Sequence, residues 1–286
     1  MITPSRLAVT EYHTISLIHQ VPDAVPAPEV VEEPTPSFKK KKVKVKPPQK
    51  PLIVMMHDFP GTHMAGNNDL FGELAYQFEK LGYASARFDF RGAGDSDCTA
   101  SEFSLESATE DLNAVLDWAK HEQKYKSVVL LGEGVGGAVA VMGYRAKIIA
   151  GMILLWPTTI MRESGFKELF TREKLLKAAE MDAPFVEYRG FRLGSHFLHE
   201  IYNTDLTSSL ERIKVPVLIQ AGTGDPDIAL DQAYFARDNI KGLVELAVFE
   251  GGGPGLKEPK MRKHLFVNIE HFLTRVLKRL ATPPKT

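Results

Sequence analysis

From Pro51 onward the chain alternates short, unbroken apolar runs with longer stretches whose apolar residues recur every three or four positions. The runs at 52–57, 83–89, 128–131, 151–156, 215–222 and 243–250 predict strands. They are nearly continuous Val, Ile, Leu and Met rather than half polar, as a parallel sheet covered on both faces requires. Residues 69–81 place Leu70, Phe71, Leu74, Phe78 and Leu81 on one face and stop at Gly82, which predicts a helix closed by glycine. Another helix, opened by Ser104 or Glu106, carries Leu112, Val115, Leu116 and Ala119 on one face. The spans 137–147, 230–238 and 260–280 predict three more. Strands alternating with helices at this spacing predict a mostly parallel central sheet with helices on both faces.

Two regions break the rhythm. Residues 6–19 alternate weakly and predict a first strand. From 21 to 37 the chain turns to proline, acid and small residues, a composition that favours an extended, solvated conformation. Lys39, Lys40, Lys41, Lys42, Lys44 and Lys46 follow, with Val43 and Val45 between them. Such a run fits either an anionic partner or an edge strand whose lysines discourage pairing with other chains. The Lys-Val alternation favours the edge strand, and no aromatic residues interleave to stack on bases. Residues 1–50 are read as an N-terminal β-hairpin with a Pro- and Lys-rich flexible insert. The second break, 157–210, is helical over 167–181 and aromatic at Phe185, Tyr188, Phe191, Phe197 and Tyr202. It follows a strand end, where such sheets carry their sites, and is read as a helical lid on a core of 51–156 and 211–286.

Composition changes this picture little. Of 286 residues, 44% are hydrophobic and 25% charged, an ordinary globular balance. The formal net charge of -1 supplies no global field toward nucleic acid or an anionic membrane. Cys98 is the single cysteine, so no internal disulfide can form. No apolar run reaches the length of a membrane span, and Arg6, Glu11, His13 and His19 occupy the place of a signal peptide's apolar segment. A cytoplasmic protein without cofactor or metal is expected; His196 and His199 have no Cys or Asp at metal-site spacing.

The candidate chemistry centres on 128–137. The run Val128 to Leu131 breaks into Gly132-Glu133-Gly134-Val135-Gly136-Gly137, a strand, a tight turn and a helix. That is the outline of the nucleophile elbow, G-x-S-x-G, with Gly134 where the serine belongs. His57-Asp58-Phe59-Pro60-Gly61 follows an earlier strand, and Asp89-Phe90-Arg91-Gly92-Ala93-Gly94-Asp95-Ser96 a later one. Gly222-Thr223-Gly224-Asp225-Pro226-Asp227 and Gly251-Gly252-Gly253-Pro254-Gly255 close the series. In this order and separation the five pieces resemble the α/β-hydrolase superfamily over roughly residues 50 to 280. The likeness is to its serine aminopeptidase-like members and, more loosely, to the hydrolase-like proteins associated with exosortase.

The resemblance implies an oxyanion loop at 57–61 and a catalytic triad at positions 134, 225 and 254. Of that triad only Asp225 is present, because Gly134 lacks a nucleophile and Pro254 a basic nitrogen. Acyl transfer needs an attacking hydroxyl or thiol, a base in reach and an acid to orient the base. The expectation is therefore a catalytically degenerate pseudo-hydrolase acting in ligand or protein binding. His57, Asp58, Phe59, Glu133 and Val135 are its candidate binding positions, with oxyanion-type donors from the backbone of Val135 and near Phe59. Glycine suits the elbow because a Cβ there is strained. Asp225, Asp227 and Asp58 read as loop-capping carboxylates, while His57, Glu133, Cys98 and His264 are the groups that could rescue catalysis. The partners expected are a small acyl or aromatic ligand, or a protein engaging the lid or the N-terminal insert. The alternative is an active hydrolase of ester, acyl or peptide substrates using non-standard residues. Restoring Gly134→Ser and Pro254→His together is expected to return weak esterase activity.

Overall fold

The computed structural model describes residues 1–23, 49–60, 63–171 and 185–282. The chain opens with an antiparallel hairpin of β1 (Ile2–Ala8) and β2 (Thr14–Gln20). The single strand expected over 6–19 is thus split by a turn in which the N–H groups of Val9 and Thr10 converge on the carbonyl of His13. The lysine run lies outside the described residues. β3 (Leu52–Met56), α1 (Leu70–Lys80), β4 (Ser85–Phe88), α2 (Leu105–His121), β5 (Val128–Glu133), α3 (Val135–Met142) and β6 (Ile149–Leu155) then alternate as the pattern predicts. The helix expected over 137–147 starts two residues early, because the turn at Gly134 leads straight into it.

After β6 comes the insertion, expected to be helical over 167–181 and aromatic beyond. Gly165–Phe170 is a 3-10 turn, 172–184 lies outside the described residues, and β7 (Phe185–Tyr188) pairs with β8 (Phe191–Gly194) as a small hairpin. Arg189 and Gly190 between them both take positive φ (49° and 86°), as a two-residue hairpin turn demands. α4 (Ser195–Asn203) and α5 (Thr207–Glu211) follow. The core resumes with β9 (Val217–Gly222), α6 (Leu230–Asn239), β10 (Val244–Phe249) and α7 (Pro259–Ala281).

The eight-stranded sheet runs β1-β2-β4-β3-β5-β6-β9-β10, parallel from β4 to β10, with β2 antiparallel to both of its neighbours. Its strands show why their sequences are apolar throughout. Leu52, Val54 and Met56 of β3 join one core while Ile53 and Met55 join the other, and β5 divides in the same way. The first core lies under α2, α3 and the insertion, the second under α1 and α7. Gln220 is fully buried on β9, accepting from the Asn268 side chain at 2.9 Å and donating to the Leu265 carbonyl at 3.4 Å. α2 begins at a reciprocal cap: Ser107 N–H donates to Ser104 Oγ at 2.8 Å and Ser104 N–H to Ser107 Oγ at 3.1 Å.

The loop after β4 is structural. The Arg91 guanidinium is buried on Asp111, Nε to Oδ1 at 2.6 Å, and reaches Glu110 at 2.7 Å. Asp89 accepts the N–H groups of Met64 at 2.6 Å and Asp95 at 2.9 Å, which ties this loop to the segment following β3. No helix among the described residues is long and apolar enough to cross a membrane.

Candidate active site

The carboxyl ends of β3, β5, β6, β9 and β10 converge on one cavity of about 280 Å³. At its floor the chain turns from β5 into α3 through Gly134, whose φ of +55° and ψ of -120° are those of a sharp elbow. Its N–H donates to the Leu155 carbonyl at 3.1 Å, and its carbonyl accepts from Gly137 and Thr158, both at 3.0 Å. Gly136 lets this turn sit against the end of β3: a Cβ there would lie 2.3 Å from the Met56 carbonyl oxygen.

The space in front of Gly134 is filled by Asp58. A Cβ on residue 134 would stand 2.0 Å from Asp58 Oδ1 and 2.1 Å from its Cγ, so the carboxylate takes up the room of a nucleophile side chain. Oδ1 accepts the Val135 N–H at 2.7 Å and the Phe59 N–H at 2.8 Å. These are the two donors expected to hold an oxyanion, and the protein's own carboxylate engages both. Asp58 is a capping carboxylate, as expected, but the groups it caps belong to the site. Burial pushes its carboxyl up to about 6, resisted by those two N–H groups and reinforced by Asp225 and Asp227. Phe59 is anchored by stacking on Phe103, ring centroids 3.6 Å apart, and by an edge contact with Phe197 of the insertion.

His57 does not line the cavity. It is fully buried, its Nδ1 2.6 Å from the Asp58 carbonyl and its Nε2 3.2 Å from the Phe90 N–H. That pattern fits the neutral tautomer protonated at Nδ1. Burial holds its pKa down at about 4. Glu133, also expected among the binding positions, is 1% exposed and off the cavity wall. Its Oε2 accepts the Asn67 N–H at 3.0 Å, while Oε1 has no partner among the described residues. Burial, and then the neighbouring charges of Asp58 and Asp225, raise its carboxyl to about 7.

Asp225 reaches the cavity wall. Its Oδ1 accepts the N–H groups of Asp227 at 2.8 Å and Ile228 at 3.0 Å, the loop cap expected of it, and burial raises its pKa. Asp227 departs from that expectation. Arg189, at the tip of the insertion hairpin, grips it at 2.5 and 2.7 Å and meets Glu168 at 3.0 Å. Pro254 lines the cavity in a loop held by Arg262, which donates to the carbonyls of Leu256 and Asn68 (both 3.0 Å) and Gly255 and to Glu73 at 2.5 Å. The Asn68 side chain donates to the Pro254 carbonyl at 3.1 Å. Phe166, Tyr188, Arg189 and Phe191 of the insertion complete the wall.

The structure therefore brings together Asp58, Phe59, Val135, Asp225 and Pro254, with Gly134 beneath them, and leaves His57 and Glu133 behind the floor. Neither His264, exposed on α7, nor His196, on the Phe103 carbonyl at 3.0 Å, approaches the elbow. No cluster of metal-ligating side chains occurs among the described residues. The role of Asp58 and the Arg189–Asp227 contact were missed in the sequence. A usable signal for the first was the pairing of an acid beside Phe59 with a glycine at the elbow tip. The expected return of esterase activity in Gly134→Ser with Pro254→His meets one geometric obstacle, since a Cβ at 134 requires Asp58 to move.

Residues 48–184 match the serine aminopeptidase S33 family. Over 129 residues the chain is 36% identical to protein phosphatase methylesterase 1 of Candida albicans, covering 43% of this chain and 33% of that protein. Over 109 residues it is 30% identical to an uncharacterized 31.7 kDa protein from the traX-finO intergenic region of Escherichia coli, covering 36% and 37%. The chain spans about a third of the length of these curated relatives. Among solved structures, the mouse alpha/beta hydrolase domain-containing protein 10 superposes with a TM-score of 0.70 at 17% identity, covering 96% of this chain and 99% of that one. Est1E from Butyrivibrio proteoclasticus with bound ferulic acid gives 0.75 at 17% identity, with the same coverage. At these identities the solved structures share the fold, and the chain has the α/β-hydrolase fold: a mostly parallel eight-stranded sheet with a sharp turn between β5 and α3.

Proposed function

We propose that this chain is a catalytically inactive α/β-hydrolase that binds a ligand or a protein instead of hydrolysing a substrate. The observation that carries this reading is the Asp58 carboxylate, seated against Gly134 and taking the N–H groups of both Phe59 and Val135. A hydrolase of this kind needs three things at the elbow: a nucleophile, a base and an empty oxyanion hole. Gly134 lacks the first, Pro254 cannot be the second, and Asp58 fills the third. His57 cannot stand in as base, since both of its ring nitrogens face backbone groups. The cavity, walled by Phe166, Tyr188 and Phe191, is suited to a small molecule.

A panel of p-nitrophenyl esters and a fluorophosphonate probe tests the proposal, with no turnover above buffer and no labelling expected. The competing reading, an active hydrolase of ester, acyl or peptide substrates with non-standard residues, draws on the two raised carboxyls of Asp58 and Glu133. Turnover that disappears in Asp58→Asn or Glu133→Gln would establish that reading and overturn the first.

A further inference from the structure

The two N–H groups that meet at Asp58 Oδ1 come from separate places, the end of β3 and the first residue of α3. Amide donors converging from a strand end and a helix N-terminus make a receptor for an anion. Here the receptor is not empty, because a carboxylate from the same chain lies in it at 2.7 and 2.8 Å. We propose that the Phe59 and Val135 N–H pair is a carboxylate-binding site with Asp58 as its built-in occupant, so that an aromatic carboxylic acid entering the cavity binds by exchanging with the Asp58 side chain. This inference rests on the reading of the site as catalytically inactive, since a nucleophile at 134 would claim the same space.

Three observations support the exchange. Gly134 contributes no side chain, so the nearest atoms to the volume beside the N–H pair, among the described residues, are those of the Asp58 carboxylate, and that volume is vacated when Asp58 turns away. That volume adjoins the cavity, whose wall offers the Phe166 and Tyr188 rings, 5.4 Å apart between centroids, to the apolar part of an acid. Charge selects the form of the exchange. Asp225 and Asp227 share the cavity, Arg189 is already spent on Asp227 and Glu168, and Glu133 lies just behind the floor. An incoming anion is thus accommodated in place of the Asp58 anion rather than beside it.

The test uses benzoate as probe, titrated calorimetrically into the full-length protein and its Asp58→Ala and Asp58→Asn variants. Asp58→Ala empties the receptor and is expected to bind benzoate at least tenfold more tightly than the unaltered protein. Asp58→Asn keeps an amide oxygen of the same shape on the two N–H groups and is expected to bind no more than twofold more tightly. Neutral benzamide should gain less than threefold in Asp58→Ala. Equal tightening in both variants would mean that charge repulsion, not occupancy, excludes anions. No tightening in Asp58→Ala, or an equal gain for benzamide, would mean that the N–H pair is no receptor. Each of these three results overturns the proposal. Should Asp58→Ala prove too unstable to titrate, formate supplies the readout: 50 mM should raise its melting temperature and leave that of Asp58→Asn unchanged, and no rise in Asp58→Ala would be equally fatal. Ester turnover is measured separately, so loss of the inactive-hydrolase reading is distinguishable from loss of this one.

Discussion

Placing a serine at the elbow tip without touching Asp58 should be severely destabilising, and the structure gives the size. The backbone at 134 holds φ of +55°, which costs a residue with a Cβ about 1–3 kcal/mol. The new Cβ would also stand 2.0 Å from Asp58 Oδ1, so the carboxylate must leave. It then surrenders two hydrogen bonds to backbone N–H groups, worth about 1.5–3 kcal/mol each to a charged acceptor, less what the carboxylate recovers by regaining solvent. Gly134→Ser should thus lower stability by about 4 kcal/mol, a large share of the roughly 5–15 kcal/mol of an ordinary domain. In an Asp58→Gly background the clash is gone and only the backbone strain remains, about 1–3 kcal/mol. Urea unfolding of the four proteins of this double-mutant cycle, with constant m-values, reads the coupling between the two positions directly. At least about 2 kcal/mol is expected. A coupling under about 0.5 kcal/mol, the scatter of independent sites, would show that Asp58 does not occupy the elbow space.

Other expectations follow from the same contacts. The triple variant Asp58→Gly, Gly134→Ser, Pro254→His should hydrolyse p-nitrophenyl acetate measurably above buffer, and the variant retaining Asp58 should not. An inert but folded triple variant would place the fault in the loop position of residue 254. Burial raises the Glu133 carboxyl to about 7, above its unfolded value, so its stabilising contribution is complete at low pH and is lost as pH rises through 7. Stability of the unaltered protein relative to Glu133→Gln should accordingly fall by about 1–3 kcal/mol between pH 5 and pH 8, and an unchanged difference would refute the buried carboxyl. Asp58 titrates in the same sense through about 6, and His57 opposes both between 4 and 6.5, which is why the comparison is made against the single variant. Arg91→Met should cost about 3–5 kcal/mol by stranding the buried Asp111 carboxylate, and Arg91→Met with Asp111→Leu should cost distinctly less in the same unfolding assay.

The order of strands and helices in the core was legible because each strand must satisfy two cores at once. That requirement writes an unbroken apolar run into the chain, and α1, α2 and α7 write a periodic one beside it. Element ends were less legible: the elbow turn leads directly into α3, and a five-residue turn splits the N-terminal stretch into two strands. In the insertion, alternating aromatics around Arg189 and Gly190 encode a hairpin that a search for helical spacing passes over. That residues 134 and 254 carry neither hydroxyl nor imidazole could be read from the sequence alone, since side-chain chemistry is a property of the residue itself. What stands in their place is not such a property. Asp58 and Val135 are 77 residues apart, and only the pairing of β3 with β5 brings the carboxylate onto that N–H group. The same holds for His57, a reactive group by type that burial and two backbone contacts hold out of the cavity. Sequence determined which residue types stand at 134, 225 and 254; tertiary packing decided which carboxylate meets the Val135 and Phe59 N–H groups, because hydrogen-bond geometry and desolvation are set by neighbours in space rather than along the chain.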